Sequence, residues 1–216
     1  MKTNLQLQKD VSDELQFEPT VDPADIGVTA KDGVVTLSGK VKSYAEKWSS
    51  VRAAERVWGV KAVVDEITIE LPSIFHRTDE DIALAVVNAL QWDVAVPEDR
   101  IKVHVEKGWI ILKGTVDYKY QQVSVENAIR NLAGVRGITN HIKVIPTATP
   151  FEVKIRIENA IRRAAELDAE TIMVDVSGHR VILRGKVHSW AERNEARRAA
   201  WSAPGVGEVE DELVLG

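Results

Sequence analysis

The sequence predicts an α+β protein built as three tandem αββαβ modules, each a three-stranded mixed sheet with two helices packed on one face. Three observations carry that prediction. A Gly-framed apolar segment recurs as DGVVTLSGKV from Asp32, KGWIILKGTV from Lys107 and GHRVILRGKV from Gly178, with closing glycines Gly39, Gly114 and Gly185 spaced 75 and 71 residues apart. A Gly-Val pair follows each closing glycine after 20 residues, at Gly59-Val60, Gly134-Val135 and Gly205-Val206. Upstream, Thr3, Thr78 and Thr149 fall in the same register and each precedes an apolar stripe at i, i+4, i+8. Self-similarity at a fixed period is the signature of repeated structural units.

Each element has its own local warrant. The threonines open capping boxes with Gln6, Asp81 (a weaker variant) and Glu152. A hydroxyl there accepts from a free amide of the first helical turn. Pro150 suits the first helical position of the third copy, where its missing N–H costs nothing. The stripes Leu7-Val11-Leu15, Ile82-Val86-Leu90 and Val153-Ile157-Ile161 each define one buried helix face. Alternating apolar residues begin the first strand at Ile26, Ile101 and Ile172, and Asp-Gly, Lys-Gly and Ser-Gly supply hairpin turns. The third copy loses one residue before its turn and gains one after it, which predicts a shifted or bulged turn. Ser43 with Glu46 and Ser189 with Glu192 start the second helix, while Tyr118 with Gln121 makes a weaker start in the middle copy. Its inner face is read as Ala53, Ala54 and Val57, with Ala128, Ile129 and Leu132, and Ala199, Ala200 and Ala203, in the three copies. The Gly-Val pair is read as the helix stop. A third strand after this crossover can lie parallel to the second. Modules are placed at 1–72, 73–146 and 147–216, joined by linkers too short to keep them apart.

Composition narrows the function. The chain has 28 basic and 33 acidic residues, a net charge of −5, and no cysteine. That removes disulfides, thiol nucleophiles and cysteine–zinc sites. The longest apolar runs are about six residues, against about 20 for a membrane-spanning helix. The start, MKTNLQLQKDVSDELQ, has no apolar core of the kind found in export signals. The acidic balance disfavours nucleic acid as a partner.

The hairpin glycine, apolar run, Gly-x-Val, alanine-bearing helix and Gly-Val-x-x-Val-x-Asp/Asn resemble the BON domain, named for bacterial osmotically inducible protein Y and nodulation-linked proteins. In order along each copy, the residues carrying the match are Gly33, Gly39, Gly59, Val60 and Asp65; Gly108, Gly114, Gly134, Val135 and Asn140; Gly178, Gly185, Gly205, Val206 and Asp211. Val41, Val63, Val116, Ile138, Val187 and Val209 fill the apolar positions. The resemblance implies the αββαβ fold and a non-enzymatic binding role in envelope maintenance and osmotic stress, at anionic phospholipid surfaces, with similar modules beside secretin and channel domains. It implies no cofactor. Members of the family often carry export signals; this chain shows none, so the expectation is a cytoplasmic protein able to meet a membrane peripherally. Two other readings stand beside the lipid one: a protein–protein adaptor with a composite three-module surface, and a cytoplasmic small-ligand or ion sensor.

Candidate site residues are few. The conserved-register glycines, valines, Asp65, Asn140 and Asp211 are read as structural, the polar three holding backbone amides. The five histidines share no helical spacing, so no metal site is expected. The acidic Asp79-Glu80-Asp81 suits a helix N-terminus. Gly134-Val135-Arg136-Gly137 matches the GxxG of KH domains, yet it joins a helix to a strand. The six tryptophans occupy no shared position. The third copy holds eight arginines. Within it Trp190, Arg193 and Arg197 form a basic–aromatic stripe suited to phosphate or anionic lipid, with Trp92 as a further contact. The alternative is a solvated face paired with Glu192 and Glu195.

Overall fold

A computed structural model describes residues 2–164 and 172–216. The first module runs α1 (Asn4–Phe17), β1 (Ile26–Lys31), β2 (Val34–Val41), α2 (Tyr44–Arg56) and β3 (Ala62–Ile69). The second repeats it as α3 (Asp79–Trp92), β4 (Ile101–Glu106), β5 (Trp109–Val116), α4 (Lys119–Arg130) and β6 (Gly137–Val144). The third has α5 (Pro150–Arg163), β7 (Ile172–Ser177), β8 (Arg180–Val187), α6 (Trp190–Trp201) and β9 (Glu208–Leu215). Each sheet has three strands in sequence order. β1 and β2 pair antiparallel, β2 and β3 parallel, and β7, β8 and β9 repeat this. By compactness the chain forms two units, one of Met1–Asn88, His104–Ile111 and Ile129–Thr139, the other of Ala89–Val103, Leu112–Ala128 and Asn140–Gly216.

The caps form where the sequence places them. Thr3 Oγ1 accepts from Gln6 N at 3.2 Å and Gln6 Oε1 accepts from Thr3 N at 2.9 Å. Thr149 and Glu152 repeat the exchange. The Thr78–Asp81 variant also closes in both directions, each at 3.1 Å. The shorter aspartate still reaches the Thr78 amide, and the bonds from Thr78 hold its carboxyl below the usual range. At the weaker α4 start, Gln121 Oε1 accepts from both Asp117 N and Tyr118 N.

Apolar stripes build the cores. Leu7, Val11 and Leu15 of α1 pack with Val35, Leu37, Ala53, Ala54 and Ile67. In the third module Val153, Ile157 and Ile161 pack with Val181, Leu183, Ala199, Ala200 and Leu213. Burying each such aliphatic is worth about 1.5–3 kcal/mol. One position of the second helix adds to the sequence reading: Ser50, Val125 and Ala196 correspond, and all are fully buried. The buried Ser50 hydroxyl donates to Glu46 O at 2.8 Å, which satisfies it inside the core.

Two backbone features sharpen or correct the sequence reading. Of the two forms expected for the third hairpin, a shifted or a bulged turn, it takes the shifted one. Asp32-Gly33 and Lys107-Gly108 both carry two positive φ angles, whereas in the third copy Gly178 comes first, at φ 59°, and His179 lies outside the left-handed region. The glycine has moved within a two-residue turn, from the I′ to the II′ pattern. The Gly-Val pair also lies beyond the helix stop. α2 ends at Arg56, and Gly59 (φ 102°) is the third residue of a separate turn closed by Val60 N donating to Val57 O. Gly39 is fixed for another reason: at φ 120°, a Cβ there would lie 2.0 Å from Asp25 O.

Candidate functional site

A polar strap ties the second helix to the third strand in every module. Asp65, Asn140 and Asp211 each accept, through Oδ1, the amide two residues further along the strand, at 3.0–3.1 Å. The other side-chain atom faces the helix. Lys47 Nζ lies 3.1 Å from Asp65 Oδ2 and donates to Ile67 O. Gln122 Nε2 donates to Ile142 O, and Asn140 Nδ2 donates to Gln122 O. Arg193 Nε donates to Asp211 Oδ2 at 2.8 Å.

This geometry places the predicted stripe. Arg193 is the third-module counterpart of Lys47 and Gln122, so its first partner is Asp211. Arg197 Nε also approaches Asp211 Oδ2, at 3.6 Å. Two guanidinium groups thus share one carboxylate, leaving one net positive charge. Trp190, 62% exposed, opens α6, and the Arg193 guanidinium lies 5.2 Å from its ring centroid. Cation–π contact of this kind holds the indole while leaving its far face in solvent. Of the predicted acidic partners, Glu192 accepts from His188 N through its carboxylate and donates its own amide to Ser189 Oγ, and Glu195 pairs with Arg198. Trp92, 87% exposed, is the last residue of α3 and is not brought to Trp190 by any contact.

The remaining arginines of the third sheet are occupied. On the face opposite the helices, Arg180 pairs with Glu208 and Glu210, and Arg184 with Asp175 and Glu212. Each residue of the GxxG run has a structural task. Gly134 and Val135 are buried, Arg136 Nη1 donates to Ile69 O, and Gly137 lies under the Trp109 ring. Trp109 Nε1 in turn donates to Thr139 Oγ1 at 2.8 Å. Among the described residues, no group of three or more metal-ligating side chains is placed to hold an ion, and no helix is long and apolar enough to cross a membrane. Sequence reasoning missed the strap, whose signal is a polar pair 18 residues apart in all three copies.

Comparison with known proteins agrees with the repeat. The BON domain matches residues 3–70, 78–146 and 152–216. The chain belongs to the BON family. Osmotically-inducible protein Y of Escherichia coli is 32% identical over 123 residues, 55% of this chain and 61% of that protein's length. Two solved structures of CdsD, a structural protein of the type III secretion system of Chlamydia trachomatis, also align. One covers 96% of this chain and 91% of its own at 16% identity; the other, the C-terminal domain, covers 100% of both at 13%. Both give a TM-score of 0.28, too loose an overlay to carry weight.

Proposed function

We propose that this BON protein is a non-catalytic component of the osmotic-stress response that associates peripherally with anionic phospholipid. Membership of the family and the similarity to osmotically-inducible protein Y support the stress and envelope part. The α6 face carries the lipid part: Trp190 projects an exposed indole while Arg193 lies over its ring and Arg197 stands alongside, half exposed. An indole favours the boundary between headgroup and hydrocarbon. The positive charge left over from Asp211 suits a headgroup phosphate, at about 1 kcal/mol for an arginine near a charged surface.

Co-sedimentation with phosphatidylglycerol-containing vesicles at low salt tests this reading, with phosphatidylcholine vesicles as reference. Binding should require the anionic lipid. It should weaken about five-fold in Arg197→Ala, by the charge contribution above, and further in Trp190→Ala. Equal sedimentation with both vesicle types, or unchanged binding in both variants, overturns it.

A further inference from the structure

The turn after the second helix has two environments. In the second and third modules it is buried at Gly134-Val135 and at Pro204-Gly205-Val206. In the first module Trp58 is 73% exposed and Gly59 is exposed. Gly134 packs against Arg77 and Ile82 and Gly205 against Ile145, Pro146 and Thr147, so the linkers share in that burial with the neighbouring modules.

In the first compact unit, the second module's turn faces the first module. Residues Leu132 to Val135 line one cleft of about 220 Å³ with Ser43 and Ala45. The Arg130 guanidinium lies 3.4 Å from the Trp48 ring centroid, and Arg136 Nη1 donates to Ile69 O at 3.2 Å. The second unit holds a junction of its own. Gly205 N donates to Asp117 O at 2.7 Å, and a Cβ on Gly205 would lie 2.6 Å from Pro146 Cα. Trp201 shares a cleft with Tyr118, Tyr120 and Val123, and a Cβ on Gly207 would lie 3.7 Å from Val144 Cβ.

The two junctions use the same positions of the repeat. Ser43, Ala45, Trp48 and Ile69 correspond to Tyr118, Tyr120, Val123 and Val144. Across from them, Arg130, Gly134 and Arg136 correspond to Trp201, Gly205 and Gly207. One set of each kind is left over. The third module presents Ser189, Ala191, Asn194 and Leu215, of which all but Ser189 are exposed. The first module presents Glu55, Gly59 and Lys61, the counterparts of Arg130, Gly134 and Arg136, all exposed, with Trp58 beside them where the other copies have Ala133 and Pro204.

We propose that the Trp58-Gly59 turn of one copy seats on the Ser189–Asn194 face of a second copy, repeating from chain to chain the junction that occurs twice within the chain. Lys61 then takes the place of Arg136 and donates to the carbonyl of Leu215, as Arg136 does to that of Ile69. The interface joins unlike surfaces, so association continues past the dimer unless the rotation closes a ring. Here the open turn carries a tryptophan, a residue enriched at the energetic centres of interfaces.

Sedimentation velocity of the full chain without vesicles, from micromolar to millimolar concentration, tests the proposal independently of lipid binding. The parent should pass from monomer to species larger than a dimer. Trp58→Glu and Ala191→Glu change exposed positions, the second in the first turn of α6 where a carboxylate suits the helix dipole. Each alone should sediment as a monomer, with unchanged circular dichroism. An equimolar mixture should form a dimer and stop there, because only one intact turn and one intact seat remain to meet. A parent that stays monomeric to millimolar concentration overturns the proposal. So does association of Trp58→Glu alone to the parent's extent, or a mixture that stays monomeric.

Discussion

The first and third modules strap their second helix to the third strand with an ion pair, Lys47–Asp65 and Arg193–Asp211; the middle module does it with amides, Gln122 and Asn140. The strand half is the same in all three, a side-chain oxygen accepting the amide two residues on. What the fold requires there is an acceptor on the strand and a donor on the helix, and charge is optional. The donors differ in reach. Lys47 and Gln122 extend to the strand carbonyls of Ile67 and Ile142, both at 2.6 Å. Arg193 spends its Nε on Asp211 and lies over the Trp190 ring. A structural position has thereby acquired an exposed aromatic neighbour, which the first two modules fill with Tyr44 and Lys119.

The comparison can be broken at the acceptor. Asp211→Ala should be the most damaging substitution. It leaves Leu213 N without its partner and two guanidinium groups without their shared carboxylate, whose side chain is 15% exposed. A hydrogen bond to a charged group contributes about 1.5–3 kcal/mol, and a loss of about that size should appear in urea unfolding, with faster amide exchange in α6 and β9. Asn140→Ala in the middle module should cost less, about 1 kcal/mol, since neutral bonds are weaker. Should the two substitutions prove equal, charge adds nothing to the strap and the backbone amide accounts for its whole value.

Local chemistry made most of the fold readable. Caps, alternation and stripes act over three to eight residues, so Thr3, Ile26 and Leu7 announce their elements directly. The site was less readable because its partners lie across the crossover. Glu192 and Glu195 are near Arg193 in sequence but, one and two positions away, do not face it on the helix, and its bond goes to Asp211, 18 residues away. Only the repeat exposes that pairing, since Lys47 with Asp65 and Gln122 with Asn140 keep the same separation. The helix stop was misplaced for a related reason. A glycine with positive φ serves a helix end and an ensuing turn equally well, and Val57 already closes α2 by donating to Ala54 O.

Acid should separate the modules more finely. Acid reaches the middle module through a pair that lies outside the strap. Arg100 Nη1 and Nη2 donate to the two carboxylate oxygens of Asp117, at 2.9 and 2.8 Å, and this holds the Asp117 carboxyl below its ordinary value of 3.8. In the first module Arg56 lowers Glu18 with help from Thr20, and Lys42 lowers Asp22. A carboxyl with a lower pKa in the folded chain binds fewer protons than it does unfolded. Its contribution is therefore complete above the unfolded value and is lost as pH falls towards the folded one, from about pH 5 downwards. The thermal midpoint should accordingly be level near neutrality and fall in acid. Asp117→Asn should flatten part of that fall while lowering the neutral midpoint slightly, the smallest effect of the series because the pair is about one-third exposed.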